Sequence, residues 1–181
     1  MTETESGARR GEAEGRPADT RHAADGPAAH DGVSFVWRGG FEDAELDALH
    51  TWGFGADAEA SEGTVAPDGP MAPEDLTVAP VGWSARVRRH SLGWVCARRA
   101  GMLVGFVNVA WDGGDHAFLL DTVVAPPLWR TGLGTRLVDE ARCGARAAGC
   151  EWLHVDFESR LTPFYLDRCG FGPTAAGLLR L

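Results

Sequence analysis

Lysine is absent from the 181-residue chain, and all 17 of its basic side chains are arginine. That absence excludes a phosphate loop of the Gly-Lys-Ser/Thr kind, whose lysine reaches the terminal phosphates. Acids outnumber arginines 26 to 17, giving a net charge of -9. An acidic chain without a cluster of cations is a poor match for nucleic acid, because phosphate neutralisation requires grouped Lys or Arg. Residues 1–32 lack the apolar core of a signal peptide or membrane anchor, and no membrane partner is expected. Cysteine is sparse: Cys96, Cys143, Cys150 and Cys169 show no C-x-x-C spacing and no disulfide-scaffold density. Zinc-finger spacings of Cys and His are missing too, so no metal site is expected and a reducing, cytoplasmic setting fits. Tyrosine occurs once, at Tyr165. What is present, 44% hydrophobic residues over this length, suffices for one domain with a substantial core.

The stretch around which the rest is organised is Trp129-Arg130-Thr131-Gly132-Leu133-Gly134-Thr135. An apolar run from Phe118 to Val124 precedes it and is broken by Pro126-Pro127. Leu133, Leu137, Ala141 and Ala145 follow at intervals of four, the spacing of a helix with one apolar face. The order is therefore strand, glycine turn, helix. The first amides of a helix lack intrahelical partners and lie at the positive end of its dipole, so they attract a phosphate. Two spaced glycines also suit an ordinary turn. The dinucleotide fingerprint does not fit, because its third small residue would fall on Leu137.

These residues resemble the acetyl-CoA signature of the GCN5-related N-acetyltransferases (GNAT), (Arg/Gln)-x-x-Gly-x-(Gly/Ala). Gly132 and Gly134 take the glycine positions, and Trp129 stands in place of Arg or Gln. Further on, Phe164-Tyr165 followed by Gly170-Phe171 is similar to the family's Phe-Tyr-x-x-x-Gly-Phe element with one extra residue. The resemblance runs from about residue 33 to the end. It implies an α/β (α+β) fold, a mixed and mostly antiparallel central sheet with two splayed parallel strands, flanked by helices. It also implies an N-acetyltransferase that uses acetyl-CoA as co-substrate and passes the acetyl group directly to a primary amine of a small molecule or peptide. A non-catalytic acyl-CoA sensor of the same fold is the alternative, and a homodimer is compatible with either.

In chain order, residues 1–32 hold no Val, Leu or aromatic residue and are read as a disordered tail, unable to offset their ordering entropy. The domain is expected over 33–181. Val33–Trp37 reads as a strand, Phe41–Trp52 as a short amphipathic helix, and 53–80 as a long loop. Trp83–His90 reads as a basic helix with a solvated arginine face. Leu92–Arg99, Met102–Trp111 and His116–Val124 read as strands, the last two joined by Asp112-Gly113-Gly114-Asp115, a hairpin signal. Glu151–Phe157 alternates as a strand, Leu161–Arg168 is a short helix with Pro163 in its first turn, and one or two short strands are expected around Gly177.

Acetyl transfer from a thioester to an amine needs a held cofactor, loss of an ammonium proton, donors for the developing oxyanion and a proton for the departing thiolate. By resemblance, Arg130, Thr131, Gly132, Leu133, Gly134 and Thr135 face the pyrophosphate with their backbone amides. Thr122, Val123 and Val124 contact the pantetheine arm, and an amide of Val123 or Val124 polarises the carbonyl. Tyr165 gives its proton to the thiolate. For the base, Asp121 on the strand ranks before His154, and a water chain is a third route. Trp129 is expected to be a buried structural residue, with stacking on the cofactor as the other possibility. Ser159 is the nearest small polar residue where many members carry an asparagine.

Overall fold

A computed structural model describes residues 32–60 and 82–180. The expected tail and most of the expected 53–80 loop lie outside those residues.

Five strands form one sheet in the order β1-β2-β3-β4-β5: β1 Val33–Trp37, β2 Ser91–Arg99, β3 Met102–Trp111, β4 His116–Val124 and β5 Trp152–Val155. The first four form an antiparallel meander, and β5 joins β4 in parallel. A parallel neighbour cannot follow through a tight turn, so a crossover helix supplies the return. That helix is α3, Leu133–Ala147. It begins at Gly132, whose φ of 92° is left-handed, and its chain turns away through Gly149 at φ 95°. Both positions suit glycine, which has no Cβ to clash there.

α3 lies on one face of the sheet. Leu133, Leu137, Val138, Ala141 and Ala145 are buried, and a Cβ at Gly105 of β3 would stand 2.8 Å from Leu133 and Leu137. Glycine there lets the helix approach closely. Each buried leucine contributes about 1.5–3 kcal/mol by leaving water, so Leu137→Ala would cost about 2–5 kcal/mol once its cavity is included.

The other face is covered by α1, Asp43–Ala60, and α2, Trp83–His90. Leu46, Leu49 and Val87 are buried against the sheet, and the Phe106 ring meets Phe41 and Trp83 edge-on. Gly53 of α1 sits where a Cβ would collide with Val123 Cγ2, which brings α1 directly onto the end of β4.

Three expectations are corrected. α1 runs eight residues past the expected end at Trp52; Gly53 and Gly55 do not stop it, because Gly53 is needed for contact with β4 and the alanines after it favour helix. The expected helix 161–168 is a 3₁₀ turn, Ser159–Leu161, followed by a π-helical turn, Pro163–Arg168. No strand occurs from 171 to 180. Gly172-Pro173 and Gly177 interrupt any alternating pattern there, and Leu178 and Leu179 stay exposed.

Candidate active site

β4 and β5 pair only from His116↔Trp152 to Leu119↔Val155. Beyond that point β4 continues to Val124 alone on that side, and the two strands part. Ala125 N–H donates to the Val104 carbonyl of β3. Backbone groups alternate sides along a strand, so the Val124 N–H and C=O point into the gap. One partner is already there: the Trp129 indole N–H donates to the Val124 carbonyl at 2.7 Å. Trp129 is 37% exposed, not buried as expected. An indole needs a partner for its N–H, and this bond latches the turn to the end of β4.

The turn itself carries two left-handed residues, Arg130 at φ 60° and Gly132 at φ 92°. Alternating left-handed residues turn successive amides toward one side, a concavity suited to an anion. α3 has no side-chain cap and no acid in its first turn, so its opening amides have no side-chain partner. The side chains do other things. Thr131 Oγ1 donates to the Leu128 carbonyl at 2.7 Å, Leu133 is core, and Thr135 shares a hydrogen bond with Cys169. These features fit the diphosphate of a CoA ester on chain chemistry alone.

Opposite the turn, the Phe164 ring lies 3.2 Å from where a Gly134 Cβ would be. Next to it Tyr165 is buried, stacked on Phe157 at 4.8 Å and edge-on to Phe164. Its hydroxyl shares a hydrogen bond with Thr122 of β4. Burial raises its pKa above the ordinary phenol value, against the opposing effect of the Thr122 bond. A phenol holds its proton at neutral pH, and burial makes it hold that proton more tightly. Cys96 and Cys169 are pushed up to about 11 by burial, so neither supplies a thiolate nucleophile.

Asp121 lies in a bulge. Asn108 pairs with Leu120 and Phe106 with Val123, so Asp121 and Thr122 together oppose Val107, and Asp121 has φ 53°. Such a bulge re-aims side chains. Here it brings Asp121 Oδ2 within 2.8 Å of Arg86 Nη2 and 3.3 Å of Asn108 Nδ2. Arg86, Arg88 and Arg89 are all exposed, as expected of a solvated face, yet Arg86 also reaches Asp121 and lies over the Trp83 ring at 4.0 Å.

His154 is elsewhere. It stacks on Phe118 at 4.7 Å, and its Nε2 lies 2.7 Å from His116 Nδ1. Phe118 is four residues before Thr122, roughly 13 Å along a strand. The structure thus brings together Thr122, Tyr165, Val124 and the 130–135 turn, sets Asp121 beside them, and leaves His154 apart. Ser159 opens the 3₁₀ turn and is exposed.

One residue passed over in the sequence also faces this region. His50 is on α1, one turn before Gly53. Its ring lies 4.4 Å from Trp83 and 5.1 Å from Phe54. Burial lowers its pKa below the ordinary value of 6.5; Asp121 and Asp47 oppose that shift and Arg86 adds to it. Its only sequence signal was a polar residue on the apolar side of an amphipathic helix.

Among the described residues no group of three or more His, Cys, Asp or Glu could hold a metal ion, and no helix is long and apolar enough to cross a membrane.

Comparison with known proteins agrees with this fold. Residues 58–171 match the acetyltransferase (GNAT) family. No curated protein matches the chain by sequence. Among solved structures, a GNAT-family acetyltransferase from Streptococcus pneumoniae TIGR4 superposes with a TM-score of 0.57 at 17% identity, covering 82% of this chain and 97% of its own. Glucosamine-6-phosphate N-acetyltransferase from Arabidopsis thaliana gives 0.54 at 16%, over 82% and 98%. AAC(6')-Iy, in complex with the bisubstrate analogue CoA-S-monomethyl-acetylneamine, gives 0.52 at 16%, over 82% and 97%.

Proposed function

The chain belongs to the GNAT acetyltransferase family, and from that membership we propose that it carries an acetyl group from acetyl-CoA to a primary amine of a small molecule or peptide, directly, within a ternary complex. The observation that carries this reading is the convergence of three features on one gap. They are the uncapped start of α3, the unpaired edge of β4 beyond Leu119, and a buried Tyr165 bonded to Thr122.

Acetyl-CoA supplies the acetyl group as an activated thioester. The amides of residues 130–135 receive its pyrophosphate, with Gly132 and Gly134 keeping the approach clear of side chains. Thr122, Val123 and Val124 offer main chain to the pantetheine arm. The Val124 N–H, aimed into the gap, stabilises negative charge developing on the carbonyl oxygen. Tyr165, protonated at neutral pH as a phenol is, donates its proton to the departing sulfur. Asp121 precedes Thr122 on β4 and is engaged by Arg86 and Asn108. It serves better to orient the acceptor than to deprotonate it, and His154 is too far along β4 for either task.

Structures of similar fold include one named for glucosamine 6-phosphate and one bound to an acetylneamine analogue; both support a small polyfunctional amine as the first class to try. We place the catalytic domain at 33–181. A chain beginning at Val33 is expected to keep the melting temperature and acetyl-CoA affinity of the full chain.

The test is thiol release from acetyl-CoA by the full chain across a panel of amines, with calorimetry for acetyl-CoA itself. Turnover with at least one primary amine is expected. Tight binding without turnover on any amine would favour the sensor alternative, and no binding would overturn both.

A further inference from the structure

Two buried polar atoms have no hydrogen-bond partner among the described residues: His50 Nε2 and Asn108 Oδ1. Buried polar groups in folded proteins are nearly always paired, and an orphan is costly. Neither is on the cofactor side. Asn108 is 4% exposed and lies on β3 two residues from Phe106, on the sheet face that α1 and α2 cover. Its amide nitrogen donates to Asp121 Oδ2, which leaves its oxygen a pure acceptor. His50 comes from the opposite side, on α1, and rests on Trp83. Arg86 links the two, covering the same Trp83 ring while holding Asp121. One turn beyond His50, Gly53 touches Val123, so the cluster adjoins the end of β4 where the reacting carbonyl is placed above.

We propose that His50 Nε2 and Asn108 Oδ1 receive the nitrogen of the acceptor amine, with His50 accepting the ammonium proton. The proposal rests on the acetyltransferase reading and names a part of it that the sequence did not. An ammonium carries N–H donors and no acceptor, the complement of two orphaned acceptors. The proton moves from nitrogen to imidazole and then to solvent, and the lone pair released attacks the acetyl carbon. Over the whole reaction the nitrogen loses two protons, one ending on the CoA sulfur and one in solvent.

The groups facing His50 are Asp47 on its own helix, Arg86 on α2 and Asp121 on β4. Their charges partly offset one another, which leaves burial to keep the imidazole neutral at pH 7, as a base must be. The aromatic rings of Trp83 and Phe54 border His50, so the amine it takes carries an apolar flank.

The test uses the full chain. His50→Gln keeps a polar side chain of similar length but cannot carry a proton at neutral pH. With the best amine of the panel it is expected to lose on the order of 10²-fold in kcat/KM. The acidic limb of the pH–rate profile should vanish, while acetyl-CoA affinity stays within twofold. Asn108→Leu, which removes the oxygen acceptor, should raise the KM of the amine and leave acetyl-CoA affinity unchanged. Imidazole titration by NMR in the wild-type chain reads His50 without any turnover: a pKa below the ordinary value is expected, shifting when the amine is added. Unchanged kcat/KM and an unchanged acidic limb in His50→Gln would overturn the assignment while leaving the acetyltransferase reading intact. Failure of wild type to bind acetyl-CoA or to turn over any amine would overturn both, and a His50 resonance that ignores the amine would remove His50 from the site even if a variant misfolds.

Discussion

The two sides of the β4 strand are built on different principles. On one, the 129–135 turn, the start of α3 and the open edge of β4 present backbone amides, and the side chains there mostly fasten the frame: Trp129 to Val124, Thr131 to Leu128, Thr135 to Cys169. On the other, α1 and α2 present side chains, and charge holds them: Arg98 to Glu45 at 2.7 Å, Arg86 to Asp121 at 2.8 Å, Trp83 to Asp47. A backbone site tolerates any side chain that leaves the main chain in place, so its chemistry is general. A side-chain site changes with every substitution, so its specificity is free to diverge. The first fits a cofactor common to a family, the second an acceptor particular to one member.

The largest effect that sharpens this division belongs to the residue at its border. Tyr165 bonds Thr122 of β4, and Tyr165→Phe removes the proton donor while keeping the ring stacked on Phe157. It is expected to lower kcat on the order of 10²-fold with acetyl-CoA affinity unchanged. Steady-state kinetics beside calorimetry decides it, and wild-type turnover would remove the hydroxyl from the chemistry.

Next is the backbone side. A Cβ at Gly134 would crowd the Phe164 ring at 3.2 Å, forcing the turn that carries the amides to shift. Gly134→Val should cost at least about 2 kcal/mol in acetyl-CoA binding, roughly 30-fold. Circular dichroism must show the variant folded. Normal affinity in a folded variant would reduce the turn to packing.

The two sides were unequally legible in the sequence. Gly132, Gly134 and the apolar run before them stand close together in the chain, so the strand–turn–helix could be placed before any fold was known. The hairpin at Gly113-Gly114 and the Leu/Ala spacing of α3 likewise depend on neighbours within a few residues. The acceptor side is assembled across long separations: Arg86 meets Asp121, and His50 meets Trp83. A local window shows Arg86 only as one of three arginines, and it hides Asn108, the single asparagine of the chain, within an apolar strand. The bulge at Asp121 has no glycine to announce it. His154 looked like a base because strand alternation shows its face but not its register, and register is what pairs it with Phe118.

Charge should also set how the acceptor side responds to acid. Glu45 has its pKa lowered from 4.5 to about 2, chiefly by its hydrogen bonds with Arg98. A carboxylate depressed in the folded state stabilises above its unfolded pKa, and that contribution is lost as pH falls from about 4.5 to about 2. The pair is open to solvent, so it contributes about 1 kcal/mol or less. Arg98→Met should therefore lower the melting temperature slightly at pH 7, and its melting temperature should fall less steeply than that of wild type between pH 4.5 and 2. Parallel pH curves for the two would show that α1 is held to the sheet by its apolar face alone.

The smallest effect tests the backbone principle where the sequence departs from the family signature. Trp129 occupies the position of an arginine or glutamine, and its indole bonds the Val124 carbonyl. If the turn binds through its amides, the side chain matters only as a latch, worth about 0.5–1.5 kcal/mol for one hydrogen bond. Glutamine carries an amide N–H able to make the same kind of bond. Trp129→Gln should thus bind acetyl-CoA within about fivefold of wild type, a change of roughly 1 kcal/mol, measured by calorimetry on the folded variant. A loss as large as that of Gly134→Val would mean that Trp129 touches the cofactor itself. The cofactor side would then depend on a particular side chain, as the acceptor side does, and the division between the two would fail where it is most easily measured.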